Sequence, residues 1–211
     1  MKLLASSIAA IAAFTATNAM AQTVDFESTP SGTLAQGTTI GGITFTSQTG
    51  SGMGVNNFGA EGDGQSLAIF DDTNGNFLKG AIAGGATALS FTFGNDDPGF
   101  SNPGDLAWLQ VFNGATLVNT VTVVLNRDDI MNQSISYSGL FFDNFTFAYT
   151  DAAGNPFTGG GNANVGLIEI VDNFRYSGAV PEPATWALLM LGFGVIGGSM
   201  RARRRTSVAF A

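Results

Sequence analysis

The chain contains neither histidine nor cysteine. Without histidine it lacks the usual proton-transfer group near neutral pH, the serine-histidine triads and the commonest zinc ligand. Without cysteine it has no thiol nucleophile, no thiolate metal site and no disulfide framework, so its stability has to come from an apolar core. Lysine is nearly missing as well: after Lys2 only Lys79 is left, so amine catalysis would rest on one side chain. Between residues 22 and 180 three basic residues, Lys79, Arg127 and Arg175, stand against fifteen acids, a net charge of −12. So acidic a body is unsuited to nucleic acid, whose binding depends on neutralising phosphates.

What positive charge exists lies mostly at the two ends, just outside two apolar runs. Residues 1–21, MKLLASSIAAIAAFTATNAMA, place Lys2 before an apolar stretch and end on Ala19-Met20-Ala21. That order of charge, apolar run and small-x-small site is that of a secretory signal peptide, with cleavage after Ala21 and a mature chain from Gln22. Near the other end, Ala184 to Met200 is uncharged, and as a helix it would span about 25 Å, a little short of a typical hydrocarbon core and so marginally able to cross it. Pro181 and Pro183 stop a helix from extending upstream. Trp186 suits a membrane interface, and Arg201, Arg203, Arg204 and Arg205 would stay on the cytoplasmic side. The sequence therefore predicts a single transmembrane helix over 184–200, with the body facing outward.

Pro181-Glu182-Pro183, then two residues, Trp186-Ala187, a glycine-containing apolar run and terminal arginines occur in that order. The arrangement resembles a PEP-CTERM sorting signal of the Pro-Glu-Pro-x-x-Trp-Ala variant, here taken as residues 180–205. Six residues, Thr206 to Ala211, follow the arginines. The resemblance implies a Gram-negative host in which an exosortase-type membrane protease recognises Pro181, Glu182 and Pro183 and removes the tail. It also implies a transient stage at the inner membrane, delivery to the cell surface or extracellular matrix, and an association with exopolysaccharide and biofilm. Taken physically alone, the same pattern also permits a retained membrane anchor.

The remaining body, 22–179, consists of short alternating runs separated by Gly, Asn and Asp clusters, the pattern of an all-β domain. Expected strands are TVDFES (23–28), GITFTS (42–47), SLAIFD (66–71), ALSFTFG (88–94), LAWLQVF (106–112), LVNTVTVVL (117–125), DNFTFAYT (143–150) and VGLIEIVDNFRYS (165–177). They predict an antiparallel two-sheet sandwich, jelly-roll-like, with the phenylalanines as core. LAWLQVF is apolar on both faces, so Trp108 is assigned to the core in preference to a ligand.

Two acidic groups invite a metal. Asp25 and Glu27 alternate on the opening strand and Asp172 lies in the closing one, an arrangement that loosely resembles carbohydrate-binding jelly rolls in which neighbouring first and last strands share a structural calcium. Calcium suits carboxylate and carbonyl oxygens; the alternative is that these acids bond turn amides. Asp71 and Asp72 open a second acidic loop, read as a turn.

Three function classes follow. The leading one is a non-catalytic surface or matrix protein. The second is a lectin-like carbohydrate-binding module, using Phe58, Phe100, Phe157 or an outward Trp108. The third is a carboxylate glycosidase, for which adjacent pairs such as Asp96-Asp97 and Asp128-Asp129 read better as solvated turns.

Overall fold

Alternation in GITFTS, ALSFTFG, LAWLQVF and NFTFAYT sends successive side chains to opposite faces, and each run lies in a strand. The computed structural model describes residues 21–70, 75–157 and 167–178 and a C-terminal helix, α1 (Glu182–Arg203). Residues 20–179 form one unit. Its strands are β1 (Ala21–Val24), β2 (Gly32–Thr33), β3 (Thr38–Ile40), β4 (Ile43–Ser47), β5 (Met53–Asn57), β6 (Gln65–Ile69), β7 (Leu78–Gly94), β8 (Leu106–Asn113), β9 (Thr116–Val124), β10 (Gln133–Thr150) and β11 (Glu169–Gly178). Hydrogen bonding gives the order β2-β5-β6-β11-β7-β10-β8-β9, with β1 on β11, β4 on β7 and β3 on β4. Every strand pairing is antiparallel.

Strands β7 and β10 are 17 and 18 residues long, about three times the usual length, because each serves both layers. Leu78–Ile82 of β7 pairs with β4, and Leu78–Ala81 also with Asn144–Phe147 of β10. Ala88–Phe93 pairs with Gln133–Ser138 of β10 and with β11. Between these halves the register slips around Phe142, and the sheet folds over on itself. One layer is β3-β4-β7-β10-β8-β9; the other is β10-β7-β11-β6-β5-β2, with β1 beside β11. The expected two-sheet sandwich is formed, but from a continuous hydrogen-bonded sheet. At the fold Gly85 has φ +70°, and a Cβ there would stand 2.4 Å from the Phe141 ring and 2.8 Å from Phe142 O. A larger residue would meet both a strained backbone and a blocked space.

The two layers close on a phenyl cluster. Phe91 stacks on Phe174 with ring centroids 4.6 Å apart and meets Phe147 edge-on at 4.9 Å. Phe174 also contacts Phe26, Phe45 and Phe145 at 5.5 to 6.0 Å. Offset and edge-on pairs of this kind add to the burial of the rings themselves. Every member of the core cluster lies between Val24 and Tyr176, so the body buries its own core and is a folding unit by itself.

Among the described residues eleven strands stand where eight were expected. The short β2, β3 and β5 and the first halves of β7 and β10 have no counterpart in the expectation, because LKGAIAGG and QSISYSG carry Gly and Ser where strand propensity looks for branched and aromatic residues. The opening strand ends at Val24 rather than at residue 28, since Phe26 takes φ +55° and a turn follows. Phe157, a candidate ligand contact, belongs to the core cluster.

Helix α1 occupies and slightly exceeds the expected 184–200. Among the described residues no helix is long and apolar enough to cross a membrane; the expected helix at 184–200 is present as a helix. Residues 1–20, and with them most of the expected signal peptide, lie outside the described residues.

Phe91→Ala is expected to cost about 3–5 kcal/mol, read as a lower urea midpoint for the body. A loss below about 1 kcal/mol would mean that the phenyl cluster does not hold the layers together.

Candidate functional site

The outward face of the first layer is set by β8. Ala107, Leu109 and Val111 are fully buried, so Leu106, Trp108, Gln110 and Phe112 point away from the core and are half-buried. Trp108 sits between Thr122 of β9 and Ala148 of β10, Gln110 between Thr120 and Thr146, and Phe112 between Leu117 and Asn144. The two rings are separated by about 13 Å along the strand, with amide and hydroxyl groups between them. Trp108 is therefore not a core residue, contrary to the sequence reading. The small Ala107 takes the inward place, and apolar residues on both faces of LAWLQVF concealed the phase. The loop aromatics are divided: Phe100 is exposed, whereas Phe58 packs on Phe70 at 6.2 Å.

The outward face of the second layer carries a polar groove of 440 Å³ lined by Asp63, Ser90, Phe91, Thr92, Ser134, Asn173 and Arg175. It follows from a β-bulge: the β11–β7 register shifts between Asp172 and Arg175, and Asn173 takes φ +54°. Beside it Asp172 is buried. Its oxygens accept from Ser66 Oγ at 3.0 Å and from the Asn173 N–H at 2.6 Å. Burial pushes its carboxyl up to about 7 against the pull of those donors, and the negative charges of Asp63 and Glu27 raise it further.

Glu27 reaches the same region from the opening turn, its Oε1 accepting from the Gln65 N–H at 3.0 Å. Gly64 (φ +71°) makes room for it, since a Cβ there would collide with the Glu27 carboxylate at 1.9 Å. Asp25 turns elsewhere, its Oδ1 lying 3.4 Å from the Glu27 N–H. The neighbouring first and last strands are observed, β1 on β11, and Glu27 and Asp172 are brought within electrostatic range. Among the described residues, however, no group of three or more His, Cys, Asp or Glu side chains could hold a metal ion. All three acids instead accept from backbone amides, which leaves few free oxygens for a cation that takes about six to eight. As placed, the set does not fit calcium. Asp71 and Asp72 lie outside the described residues.

A second acidic knot had no sequence signal beyond adjacent aspartates. Asp96, buried, accepts from the Arg127 N–H at 2.5 Å and the Asp129 N–H at 2.9 Å. The Arg127 guanidinium is spent on Ser101 Oγ, Ser101 O and Pro98 O. Glu61 and Asp129 are both raised from ordinary carboxylate values, by burial first and then by neighbouring acids. These contacts pin two loops together, so Asp96 and Asp129 are not simply solvated turn residues; only the spatial meeting of residues 61, 96 and 129 reveals them.

At the ends of the body, Ala21 opens β1 opposite Ser177, and Ala19 lies outside the described residues. Of the tail motif, Glu182, Pro183, Trp186, Arg201 and Arg203 fall in α1; Pro183 near its start is where the missing N–H costs nothing. Pro181, Arg204 and Arg205 lie outside the described residues.

Residues 179–205 match the PEP-CTERM protein-sorting motif, so the chain carries a PEP-CTERM sorting signal. No curated protein matches the chain. Among solved structures it is similar to the CBM22-2 xylan-binding domain of Paenibacillus barcinonensis Xyn10C, with 12% identity, a TM-score of 0.40, and coverage of 74% of this chain and 98% of that one.

Asp172 makes the body's stability depend on pH. Unfolded, it ionises near its ordinary value of about 3.9; folded, near about 7. Between those values the folded state keeps a proton that the unfolded chain has lost. Stability should thus fall as pH rises from about 4 to about 7, with a slope of up to ~1.4 kcal/mol per pH unit from this group. Asp172→Asn should flatten that part of the profile in urea titrations; an unchanged slope would show that Asp172 ionises normally in the fold.

Proposed function

We propose that this chain is a non-catalytic exported protein, handed by its PEP-CTERM motif to an exosortase and resident thereafter at the cell surface or in an exopolysaccharide matrix. The observation that carries the reading is the match over residues 179–205. A helix occupies the apolar part of that motif, and the signal-peptide pattern at residues 1–21 supplies the export route that such a tail requires. In this reading the tail engages the inner membrane transiently, with its arginines on the cytoplasmic side, and the body is freed when the tail is cut. The absence of histidine and cysteine, together with acids committed to loop amides, supports a binding or structural role for the body over a catalytic one.

A second, compatible reading is favoured by Trp108. An indole and a phenyl ring on one face of a sheet, with Gln110, Thr120 and Thr122 beside them, offer apolar surfaces to the C–H faces of sugars and donors and acceptors to their hydroxyls. The body would then be a lectin-like module that holds matrix polysaccharide through the outward face of β8.

Two outcomes test these readings. Intact mass of protein recovered from the host surface and medium should begin at Gln22 and end before Trp186. Replacing Pro181, Glu182 and Pro183 by alanine should leave the full tail on a membrane-bound precursor. Wild-type protein that keeps Trp186 through Arg205 would make the tail an anchor and end the sorting account. Separately, Trp108→Ala should weaken retention on host exopolysaccharide by roughly tenfold, about 1.4 kcal/mol, without changing the melting temperature much. Equal retention of both proteins would remove the β8 face from the site.

A further inference from the structure

Strand β9 has a neighbour on one side only. It ends the sheet order and pairs with β8 alone, and among the described residues no strand takes its other edge. Other ends of the sheet are short, two residues in β2 and three in β3, whereas β9 has nine. Short edges are one way proteins avoid unwanted pairing; charge, proline and bulges are others. β9 has neither charge nor proline in TLVNTVTVV, and its one register shift, near Val111 and Phe112, leaves Asn119 to Val124 regular. Five of those six residues are β-branched, the type that favours pairing. The Thr120 N–H takes the Asn119 side-chain oxygen at 2.9 Å, a local partner in place of a strand.

Two further observations bear on what could pair with this edge. Val118, Val121 and Val123 pack against the core yet are only partly buried, so a row of core-facing valines lies open along this edge and would be closed by another strand. Moreover, no charged residue occurs from Leu106 through Asn126, the whole β8–β9 hairpin, in a body whose net charge is −12. Two copies of so acidic a body repel one another wherever their charged surfaces meet. The neutral hairpin is a surface across which they can approach without that cost.

We propose that β9 pairs antiparallel with β9 of a second copy across a twofold axis, joining the first layers of two bodies into one continuous sheet. An isologous contact of this kind closes on itself and stops at the dimer. Because β8 lies next to β9, the Trp108 faces of the two copies would fall on one surface. The pairing itself does not depend on glycan binding.

The test uses the body, residues 22–179, in sedimentation equilibrium from about 1 μM to about 1 mM, the range in which weak homodimers declare themselves. The wild type is expected to dimerise. Thr120→Lys brings charge to the edge, and Thr122→Pro removes an outward N–H; each should raise the dimer Kd at least about tenfold while leaving the circular dichroism spectrum unchanged. Ser136→Lys, on the open first half of β10, should dimerise as the wild type does. If Thr122→Pro does not fold, Thr120→Lys decides. A wild type that stays monomeric at the highest concentration, or a Thr120→Lys variant that dimerises unchanged, overturns the proposal. So does a dimer lost only in Ser136→Lys, which would move the contact to β10. Monomeric body that nonetheless binds polysaccharide would overturn the pairing and leave the glycan reading standing.

Discussion

The constraint on which everything else rests is that two strands, β7 and β10, belong to both layers. With no disulfide to tie the sheets together, the chain ties them by hydrogen bonds that continue round the corner from one layer to the other. That corner needs a residue able to take a positive φ with no side chain, which Gly85 supplies, and a slip in register, which Phe142 accommodates. Once the corner is set, the phases of β8 and β11 follow. Trp108 is turned outward because its neighbour β10 presents Phe145 and Phe147 inward, and Asp172 is brought beneath the opening turn because β11 must follow the far half of β7.

Burial then divides the aromatic residues by task. Phe26, Phe45, Phe91, Phe145, Phe147 and Phe174 pack against one another and close the layers. Trp108 and Phe112 are left on the outside, where no structural demand explains a large ring. Acidic side chains divide in the same way: Asp96, Asp105, Glu169 and Asp172 are buried and accept from backbone amides, while the exposed acids keep the body's surface strongly negative. The neutral β8–β9 hairpin and the aromatic face therefore coincide on one side of a body that is otherwise acidic.

Much of this is legible from residue order alone. The tail can be read because proline, glycine and arginine act locally, each changing backbone freedom or charge at its own position. The strands around Phe45, Phe91 and Phe147 can be read because their alternation is strict. The strand halves at LKGAIAGG and QSISYSG cannot, since their pairing comes from long neighbours and not from their own propensity. Nor can Trp108, because an inward Ala107 and Leu109 are meaningful only when the phase of β10 is known. The placement of Asp25 and Glu27 was illegible for a related reason: alternation put them on one face of a strand, but Phe26 adopts a left-handed conformation, and the strand does not continue through it.

The pairing of Ala21 with Ser177 has a consequence for the order of events during export. The first and last strands of the body are neighbours, and β11 also pairs with β6 and β7, so the second layer lacks a central strand until the last residues before the tail have emerged. A chain threaded from its N-terminus cannot close this sandwich early. Its folding is completed only as the sorting signal itself arrives, which places the finished body and the exposed tail in the same moment.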